Sequence, residues 1–320
     1  MYNDYILDYV TKLMSSEKAQ LLDEKLIMFN QGKNYGQVVF MAGGAGSGKG
    51  FAQSNFMEKN KFKVRDVDEW KKAFMKLSKD PRFSNYHAVV KRNAKGRVLG
   101  VDVLKDKPKL DYSDTKFMDV ILLGDLDLKN PDHVFILHLA VKKLGIKNKT
   151  LDLILSDLKK GTLPNILFDV TLKDMDDITD VLPTLKEVGY DAKSIHIVWV
   201  LTNYHVAVKA NKDRERVVPD DVLLKTHEGA ANTMYSIVKS KGVKGIDGAV
   251  HVILNNRDQT IFYKRPDGTK TNVVKGFTYL TLKKEGKKFF GEKEVNAQLL
   301  DWIKNNIPKT KETAPIWSGR

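Results

Sequence analysis

The feature that most constrains the fold of this chain is a glycine-rich loop sequence that directly follows an apolar run. The loop reads Gly43-Gly44-Ala45-Gly46-Ser47-Gly48-Lys49, and the apolar run is Val38–Ala42. Glycine adopts backbone conformations closed to other residues, so successive N–H groups of such a loop can point at one phosphate. The spacing G-x-x-x-x-G-K, between a strand pattern and a helical pattern, predicts a phosphate-binding loop whose lysine reaches the outer phosphates of a nucleotide. The alternative is a glycine-rich turn that binds nothing.

One position departs from the usual loop sequence. The residue after Lys49 is Gly50, where such loops normally have a Ser or Thr whose hydroxyl binds Mg²⁺. Mg²⁺ readily keeps water and phosphate oxygens as ligands, so it depends little on a hydroxyl ligand from the protein. We therefore expect residues 43–50 to bind ATP, with Mg²⁺ as its companion ion.

The overall composition is that of a globular protein. The chain has 320 residues, enough for one large domain or two moderate ones, and 42% of them are hydrophobic. It has no cysteine, which excludes disulfides and thiolate metal sites and is consistent with a reducing cytoplasm. No apolar run reaches the length of a membrane span, and the N-terminus lacks the pattern of a secretory signal. We therefore expect a cytoplasmic protein without a membrane segment.

The net charge of +14 indicates an anionic partner. Between Lys239 and Glu312 there are 16 Lys and Arg residues against 8 Asp and Glu residues, a surplus of 8. Concentrated positive charge attracts polyanions and gives affinity for nucleic acid that depends on salt rather than on base sequence. This surplus favours a nucleic acid or nucleotide partner. The alternative is a solvated surface that keeps the protein soluble.

The order of apolar runs predicts an α/β fold with a parallel sheet flanked by helices, and the glycine-rich loop at its first strand makes this a fold of the P-loop NTPase type. The predicted strands are Val38–Ala42, Phe62–Asp66, Ile166–Val170 and Ile195–Leu201. We expect an N-terminal helical segment at 1–35 and an α/β core at 36–245, with an insertion at about 81–160. A basic, β-rich extension at 246–320 follows, and it includes a final helix at Lys293–Ile307.

Carboxylates follow two of the predicted strands. Asp66 and Asp68 end the second strand pattern, and Asp169 ends the third, two residues before Thr171. In open α/β sheets the ligand crevice lies at the carboxyl ends of the strands, so these side chains are expected beside the glycine-rich loop. Asp68 can take the proton of an acceptor hydroxyl, or it can simply cap a helix that begins at Glu69. Asp169 and Thr171 can bind the acceptor, and Asp169 can hold Mg²⁺ through water; the alternative is a capping or turn role.

A charged loop at Asn211–Pro219 contains two arginines, Arg214 and Arg216. The guanidinium group has a fixed fork of donors that can stabilise the spread charge of a phosphoryl group in transfer. The loop is therefore a candidate lid over the phosphates, and the alternative is a solvated turn.

Taken in order, these motifs resemble those of the P-loop kinases that include polynucleotide 5′-hydroxyl kinases and zeta toxins. The matching parts are the glycine-rich loop, Asp68 with Lys71 three residues later, the strand that ends in Asp169, and the lid that leads to Val218-Pro219. The resemblance covers about 38–80 and 165–231.

The resemblance implies a kinase that transfers the γ-phosphoryl group of ATP to a hydroxyl of a nucleic acid or nucleotide. It makes Asp68 the general base and Lys49, Arg214 and Arg216 the groups that stabilise charge. Lys71 would contact a phosphate or sugar of the acceptor, and the region 36–245 would be the kinase core. Asp66 is placed to approach the acceptor by its position at the end of its strand. Large kinases of this type occur in bacteriophages, and by that analogy the protein would act in the host cytoplasm.

Two other functions remain open at this stage. One is a zeta-toxin-like kinase that phosphorylates a nucleotide sugar. The other is a non-catalytic or motor-like protein in which a bound nucleotide switches a partner. A motor would need a water-activating Glu directly after Asp169, where the sequence has Val170 and Thr171.

Overall fold

The computed structural model of the chain describes two compact units. The described residues are 29, 35–78, 86–105, 118–145, 151–152, 155, 163–214, 217–255, 261–264, 266–268, 270–276 and 278–289. The first unit comprises Met1–Lys63, Leu163–Ala207 and Thr226–Arg320, and the second comprises Val64–Thr162 and Val208–Lys225. The predicted N-terminal helical segment before Phe29, the final helix at Lys293–Ile307 and Arg216 lie outside the described residues.

The strands and helices follow the chain in this order. The strands are β1 (Val38–Ala42), β2 (Lys63–Asp66), β3 (His87–Arg92), β4 (Val98–Leu104), β5 (Met118–Leu122), β6 (Ile166–Asp169), β7 (Ile195–Leu201), β8 (Val250–Leu254), β9 (Ile261–Lys264), β10 (Lys270–Gly276) and β11 (Thr278–Lys283). The helices are α1 (Lys49–Asn55), α2 (Val67–Ser78), α3 (Pro131–Lys143), α4 (Asp176–Thr179), α5 (Leu182–Glu187), α6 (Tyr204–Lys212) and α7 (Asp220–Lys239).

A mostly parallel sheet forms the centre of the first unit. Its strand order is β11-β8-β7-β1-β6-β2, and the boundary between the units falls inside β2, after Lys63. Strand β1 pairs in parallel with β6 and with β7, and β7 pairs in parallel with β8. Every residue of β1, β7 and β8 is buried, as expected of parallel strands covered by helices on both faces. The predicted α/β fold with a mostly parallel sheet is confirmed, and β1 and β7 have their predicted bounds.

The strands near the C-terminus belong to this same sheet. Strand β11 pairs antiparallel with β8, and β8 lies beside β7. The predicted boundary at residue 246 therefore falls inside the first unit. Strands β9 and β10 form a separate antiparallel pair, consistent with the period-two pattern of this region.

The second unit contains the predicted insertion, which has a hydrophobic core. Strands β3, β4 and β5 form an antiparallel sheet in the order β4-β3-β5, and α3 packs against it. The buried side chains of this core are Met75, Ala88, Val90, Val98, Val101, Leu123, Leu126, Ile136, Leu137, Ala140 and Val141. Helix α3 begins with Pro131 directly after Asn130, whose side chain accepts a hydrogen bond from the amide of Asp132 at 2.9 Å. No helix of the described residues is both long enough and apolar enough to span a membrane.

One of the C-terminal lysines is buried and bound to the protein itself. Lys283 is only 6% exposed, and its Nζ donates to the carboxylate and the main-chain oxygen of Asp247 at 2.8 Å each. A further bond joins Nζ to the main-chain oxygen of Gly248 at 3.2 Å. Neighbouring Lys287 is exposed. The positive charge of Lys283 is therefore used inside the first unit and does not contribute to an exposed basic surface.

We expect Lys283→Glu to lower the free energy of unfolding by about 3 kcal/mol, because it buries a carboxylate against acceptor oxygens. Lys287→Glu is the matched control and should change that free energy by less than about 0.5 kcal/mol. Urea unfolding of both variants measures the difference. Equal midpoints would contradict the structural role of Lys283.

Candidate functional site

The glycine-rich loop joins the end of β1 to the start of α1. Gly46 has φ +73° and Gly48 has φ +85°, both in the left-handed region that residues with a side chain rarely adopt. The glycines at these positions are thus required by the shape of the loop. Directly after Gly48, the chain enters α1 at Lys49.

Side chains from outside the loop hold two of its carbonyl oxygens. The oxygen of Ser47 accepts hydrogen bonds from Thr202 Oγ1 at 2.7 Å and from Asn255 Nδ2 at 2.8 Å. The oxygen of Ala45 lies 2.8 Å from His227 Nε2. Thr202 follows β7, Asn255 follows β8 and His227 lies on α7, so three elements fix the backbone of one short loop.

Residues outside the loop also accept hydrogen bonds from two of its amides. Gly43 N–H donates to the main-chain oxygen of Thr171 at 3.0 Å, and Ala45 N–H donates to Thr226 Oγ1 at 3.0 Å. Leu172, which follows Thr171, is fully buried and has φ +52°, an uncommon conformation for a leucine. The segment after β6 is therefore held in a strained conformation where it contacts the loop.

His227 is a neutral imidazole in contact with the loop. Burial lowers its pKa to about 4; the hydrogen bond with Ala45 raises it, and the charge of Lys49 lowers it. Because a carbonyl oxygen can only accept, His227 donates from Nε2. A Cβ atom added at Gly44 would overlap the ring, so Gly44 allows His227 to approach the backbone.

The predicted functional residues Lys49 and Asp169 lie side by side. Lys49 Nζ donates to the main-chain oxygen of Gly43 at 2.9 Å and lies 3.8 Å from Asp169 Oδ1. The other carboxylate oxygen, Oδ2, accepts a hydrogen bond from Gln53 Nε2 at 2.8 Å. Both oxygens of Asp169 therefore face a donor or a cation.

Gln53 is a functional candidate that sequence analysis missed. Its side chain is almost completely buried, and it lies four residues after Lys49 on α1. Residues four apart share one face of a helix, so the spacing could have indicated that Gln53 and Lys49 reach the same carboxylate. Thr202, His227 and Asn255 had no such local signal.

The hydroxyl of Ser47 has no hydrogen-bond partner among the described residues, although it is buried. A buried hydroxyl without a partner costs free energy. Its position inside the loop makes it an available donor.

The second unit brings together Asp66, Asp68 and Lys71. Asp66 Oδ1 accepts a hydrogen bond from Asp68 N–H at 2.8 Å, so Asp66 caps α2. The alternative role of Asp68 as cap of a helix beginning at Glu69 is wrong, because α2 begins at Val67. Lys71 Nζ lies 2.8 Å from Asp68 Oδ1, and the lysine side chain is 10% exposed against 36% for the aspartate.

The loop that contains Arg214 is held in place within the second unit. The buried side chain of Asn211 donates to the main-chain oxygen of Val218 at 2.8 Å and accepts from the amide of Val218 at 3.0 Å. Lys129 Nζ donates to the main-chain oxygen of Arg214. The side chain of Arg214 is exposed.

The predicted residues thus fall into two groups. The first unit contains the loop from Gly43 to Gly50, together with Asp169 and Thr171. The second unit contains Asp66, Asp68, Lys71 and Arg214. In the part of the chain that the structure describes, no three His, Asp or Glu side chains form a group that could hold a metal ion.

Comparison with known proteins gave similarity at the level of structure only. No protein-family model matches the sequence, and no curated protein matches it. The structure is similar to a chain in the native crystal structure of the AvrRxo1-ORF1:-ORF2 complex, with a TM-score of 0.40 and 12% identity over 89% of this chain and 74% of that chain. The crystal structure of the complex with ATP gives 0.40 and 8% over 89% and 75%. The one with sulphate ions gives 0.38 and 10% over 89% and 75%. Similarity of this degree identifies no activity.

We expect Gly44→Ala to destabilise the first unit by about 1–3 kcal/mol, since the added Cβ overlaps the buried ring of His227. Gly50→Ala is the control: a Cβ there meets nothing within 4 Å, and alanine favours a helix by about 1 kcal/mol. Denaturant unfolding of both variants tests the contact. Equal losses of stability would contradict it.

Proposed function

We propose that the protein is an ATP-dependent P-loop kinase that transfers the γ-phosphoryl group to a hydroxyl of a nucleic acid or nucleotide. The observation that carries the proposal is the position of Lys49, which follows a glycine-rich loop and lies 3.8 Å from Asp169. The loop begins directly after β1, and Asp169 is the last residue of the adjacent strand β6. A cation and a carboxylate at the carboxyl edge of a parallel sheet are the groups that bind a nucleoside triphosphate and its metal ion.

The chemistry of the loop fits the phosphates of ATP. Gly46 and Gly48 have the left-handed backbone that turns amides toward an anion. Ser47 has a buried hydroxyl that lacks a partner in the described residues and can donate to a phosphate oxygen. Lys49 would release the oxygen of Gly43 and neutralise charge on the outer phosphates.

Asp169 is the residue that would hold Mg²⁺, through water ligands. Gln53 fixes one carboxylate oxygen and leaves the other facing Lys49. When bound, the ion neutralises charge on the phosphates of ATP. With Gly50 in the position of the usual hydroxyl ligand, water and phosphate oxygens would supply most of the ligands.

The acceptor half of the proposal assigns roles to the second unit. Asp68 accepts the proton of the acceptor hydroxyl, and its ion pair with Lys71 fixes the carboxylate. Lys71 and Asp66 are the residues of this unit that would contact the acceptor. Arg214 and Arg216 stabilise the transferring phosphoryl group.

The deciding experiment supplies γ-labelled ATP and separate pools of DNA, RNA, nucleosides and nucleotide sugars. Label transfer to nucleic acid or nucleotides supports the proposal, whereas transfer to nucleotide sugars favours the zeta-toxin-like alternative. ATP binding without any transfer favours the non-catalytic switch. The nucleic-acid arm is repeated, at low and at moderate salt, with a variant in which the exposed lysines Lys284, Lys287 and Lys288 are changed to Glu. If these lysines bind a polyanion, binding weakens steeply with salt and is weaker in the variant.

We expect Lys49→Ala to abolish most phosphoryl transfer without unfolding the protein, because the lost charge stabilises the transition state. Lys59→Ala, which changes an exposed lysine, is the control. Turnover and ATP affinity are measured for both. Unchanged turnover in a folded Lys49→Ala protein would exclude the phosphate-loop assignment.

We expect Asp68→Asn to keep ATP binding and to slow transfer by roughly 10²- to 10⁴-fold, the usual cost of removing a general base. Asp66→Asn is the matched variant: asparagine still caps α2, so its stability should not change. Single-turnover rates separate the two residues. A large loss of transfer rate in Asp66→Asn alone would identify Asp66, and not Asp68, as the general base.

A further inference from the structure

We infer that Thr202, His227 and Asn255 are positioning residues that direct the backbone amides of Gly46 and Gly48 toward a phosphate group. The inference rests on the proposed nucleotide binding and adds residues that the sequence motif does not contain. All three side chains lie in the first unit with the loop.

The planar peptide group links the direction of each carbonyl to that of the next amide. In a planar trans peptide, the C=O of one residue and the N–H of the next point in opposite directions. The carbonyl of Ala45 shares a peptide group with the amide of Gly46, and the carbonyl of Ser47 shares one with the amide of Gly48. Any side chain that holds these carbonyls on one side therefore sends the two amides to the other side.

The structure has such side chains at both carbonyls. His227 Nε2 is 2.8 Å from the oxygen of Ala45, and Thr202 Oγ1 and Asn255 Nδ2 are 2.7 and 2.8 Å from the oxygen of Ser47. Thr202 is 1% exposed and His227 is 4% exposed, so water does not replace these donors easily. Thr226 Oγ1 accepts a hydrogen bond from the amide of Ala45 at 3.0 Å, so the peptide group between Gly44 and Ala45 is held as well.

The two amides directed in this way are available for a ligand. Within the described part of the chain, the backbone amides of Gly46 and Gly48 make no hydrogen bond. Their left-handed conformations, with Ser47 between them, produce the concave arrangement of N–H groups that binds anions. Lys49 adds a positive charge next to them. Two amide donors without an acceptor among the described residues, next to the cation of Lys49, match a phosphate or pyrophosphate group.

The test compares variants that remove the donor with variants that keep it. His227→Phe keeps a ring and removes the donor, whereas His227→Gln keeps an N–H that can reach the oxygen of Ala45. At the oxygen of Ser47, Thr202→Val combined with Asn255→Leu removes both donors, whereas Thr202→Ser keeps a hydroxyl. Calorimetry at fixed salt gives the affinity of each protein for pyrophosphate and for ATP.

We expect each donor-free protein to bind pyrophosphate at least about tenfold more weakly, the value of one hydrogen bond to a charged group. His227→Gln and Thr202→Ser should bind within about threefold of the unchanged protein. If the three residues had a purely structural role, the substitutions would lower thermal stability, but the donor-free and the donor-keeping variants would not differ in their affinity for pyrophosphate.

An NMR measurement follows the amides directly. Labelling alanine carbonyls with ¹³C and glycine amides with ¹⁵N selects only Ala42-Gly43 and Ala45-Gly46, the two Ala-Gly pairs of the sequence. Pyrophosphate should shift the Gly46 amide proton downfield in the unchanged protein and in His227→Gln, but not in His227→Phe. If His227→Phe does not fold, the Thr202→Val/Asn255→Leu protein provides the same comparison at Gly48 through the Ser-Gly pairs.

The outcomes separate the inference from the proposed function. If the unchanged protein binds pyrophosphate and the donor-free variants bind it equally well, the positioning role is overturned and the kinase proposal stands. If the unchanged protein binds neither pyrophosphate nor ATP, both are overturned. Weaker binding in the donor-free variants, with binding kept in the conservative ones, supports the inference.

Discussion

The parallel pairing of β1 with β6 on one side and β7 on the other is the constraint on which the site depends. Parallel strands end at the same edge of a sheet, and the register that pairs Met41 with Asp169 fixes where each ends. The glycine-rich loop therefore begins beside the carboxylate of Asp169. The same pairing brings Thr202 from the end of β7 to the loop, and the next strand, β8, brings Asn255. Burial of the apolar strands thus determines which polar groups surround the loop.

The sequence predicted the loop and its strands because both depend on local signals. The apolar runs of β1 and β7 have the length and the β-branched content of buried strands, and the glycine spacing has a direct backbone meaning. The anchors of the loop were not predictable in this way. Thr202, His227 and Asn255 lie 155 to 208 residues from their partners in the loop, and no spacing rule connects them. Only the folded sheet and α7 bring them to the carbonyls of Ala45 and Ser47.

The second unit illustrates two other limits of a sequence pattern. Two carboxylates, Asp66 and Asp68, precede the same helical pattern, and either can cap a helix. The choice depends on which one reaches an amide of the first turn, and the structure selects Asp66. The sequence predicted an insertion at about 81–160 but not the fold of that insertion. Its sheet and α3 are stabilised by a small hydrophobic core of their own, to which Met75 of α2 also contributes. Asp66, Asp68 and Lys71, which are among the residues predicted to act on the acceptor, belong to the unit that contains this insertion.

Charge and shape have separate sources at the candidate site. A count of lysines does not distinguish Lys283, which bonds to acceptors of its own unit, from exposed Lys287. Around the loop, the groups that fix the backbone are a hydroxyl, an amide and an imidazole whose pKa is lowered by burial to about 4, so they carry no charge at neutral pH. The imidazole also donates from Nε2 when it is protonated, so titration does not remove its bond to Ala45. The positive charge beside the loop comes from Lys49, whose Nζ donates to the main-chain oxygen of Gly43. In the proposed function, Lys49 would exchange this bond for one to a phosphate oxygen.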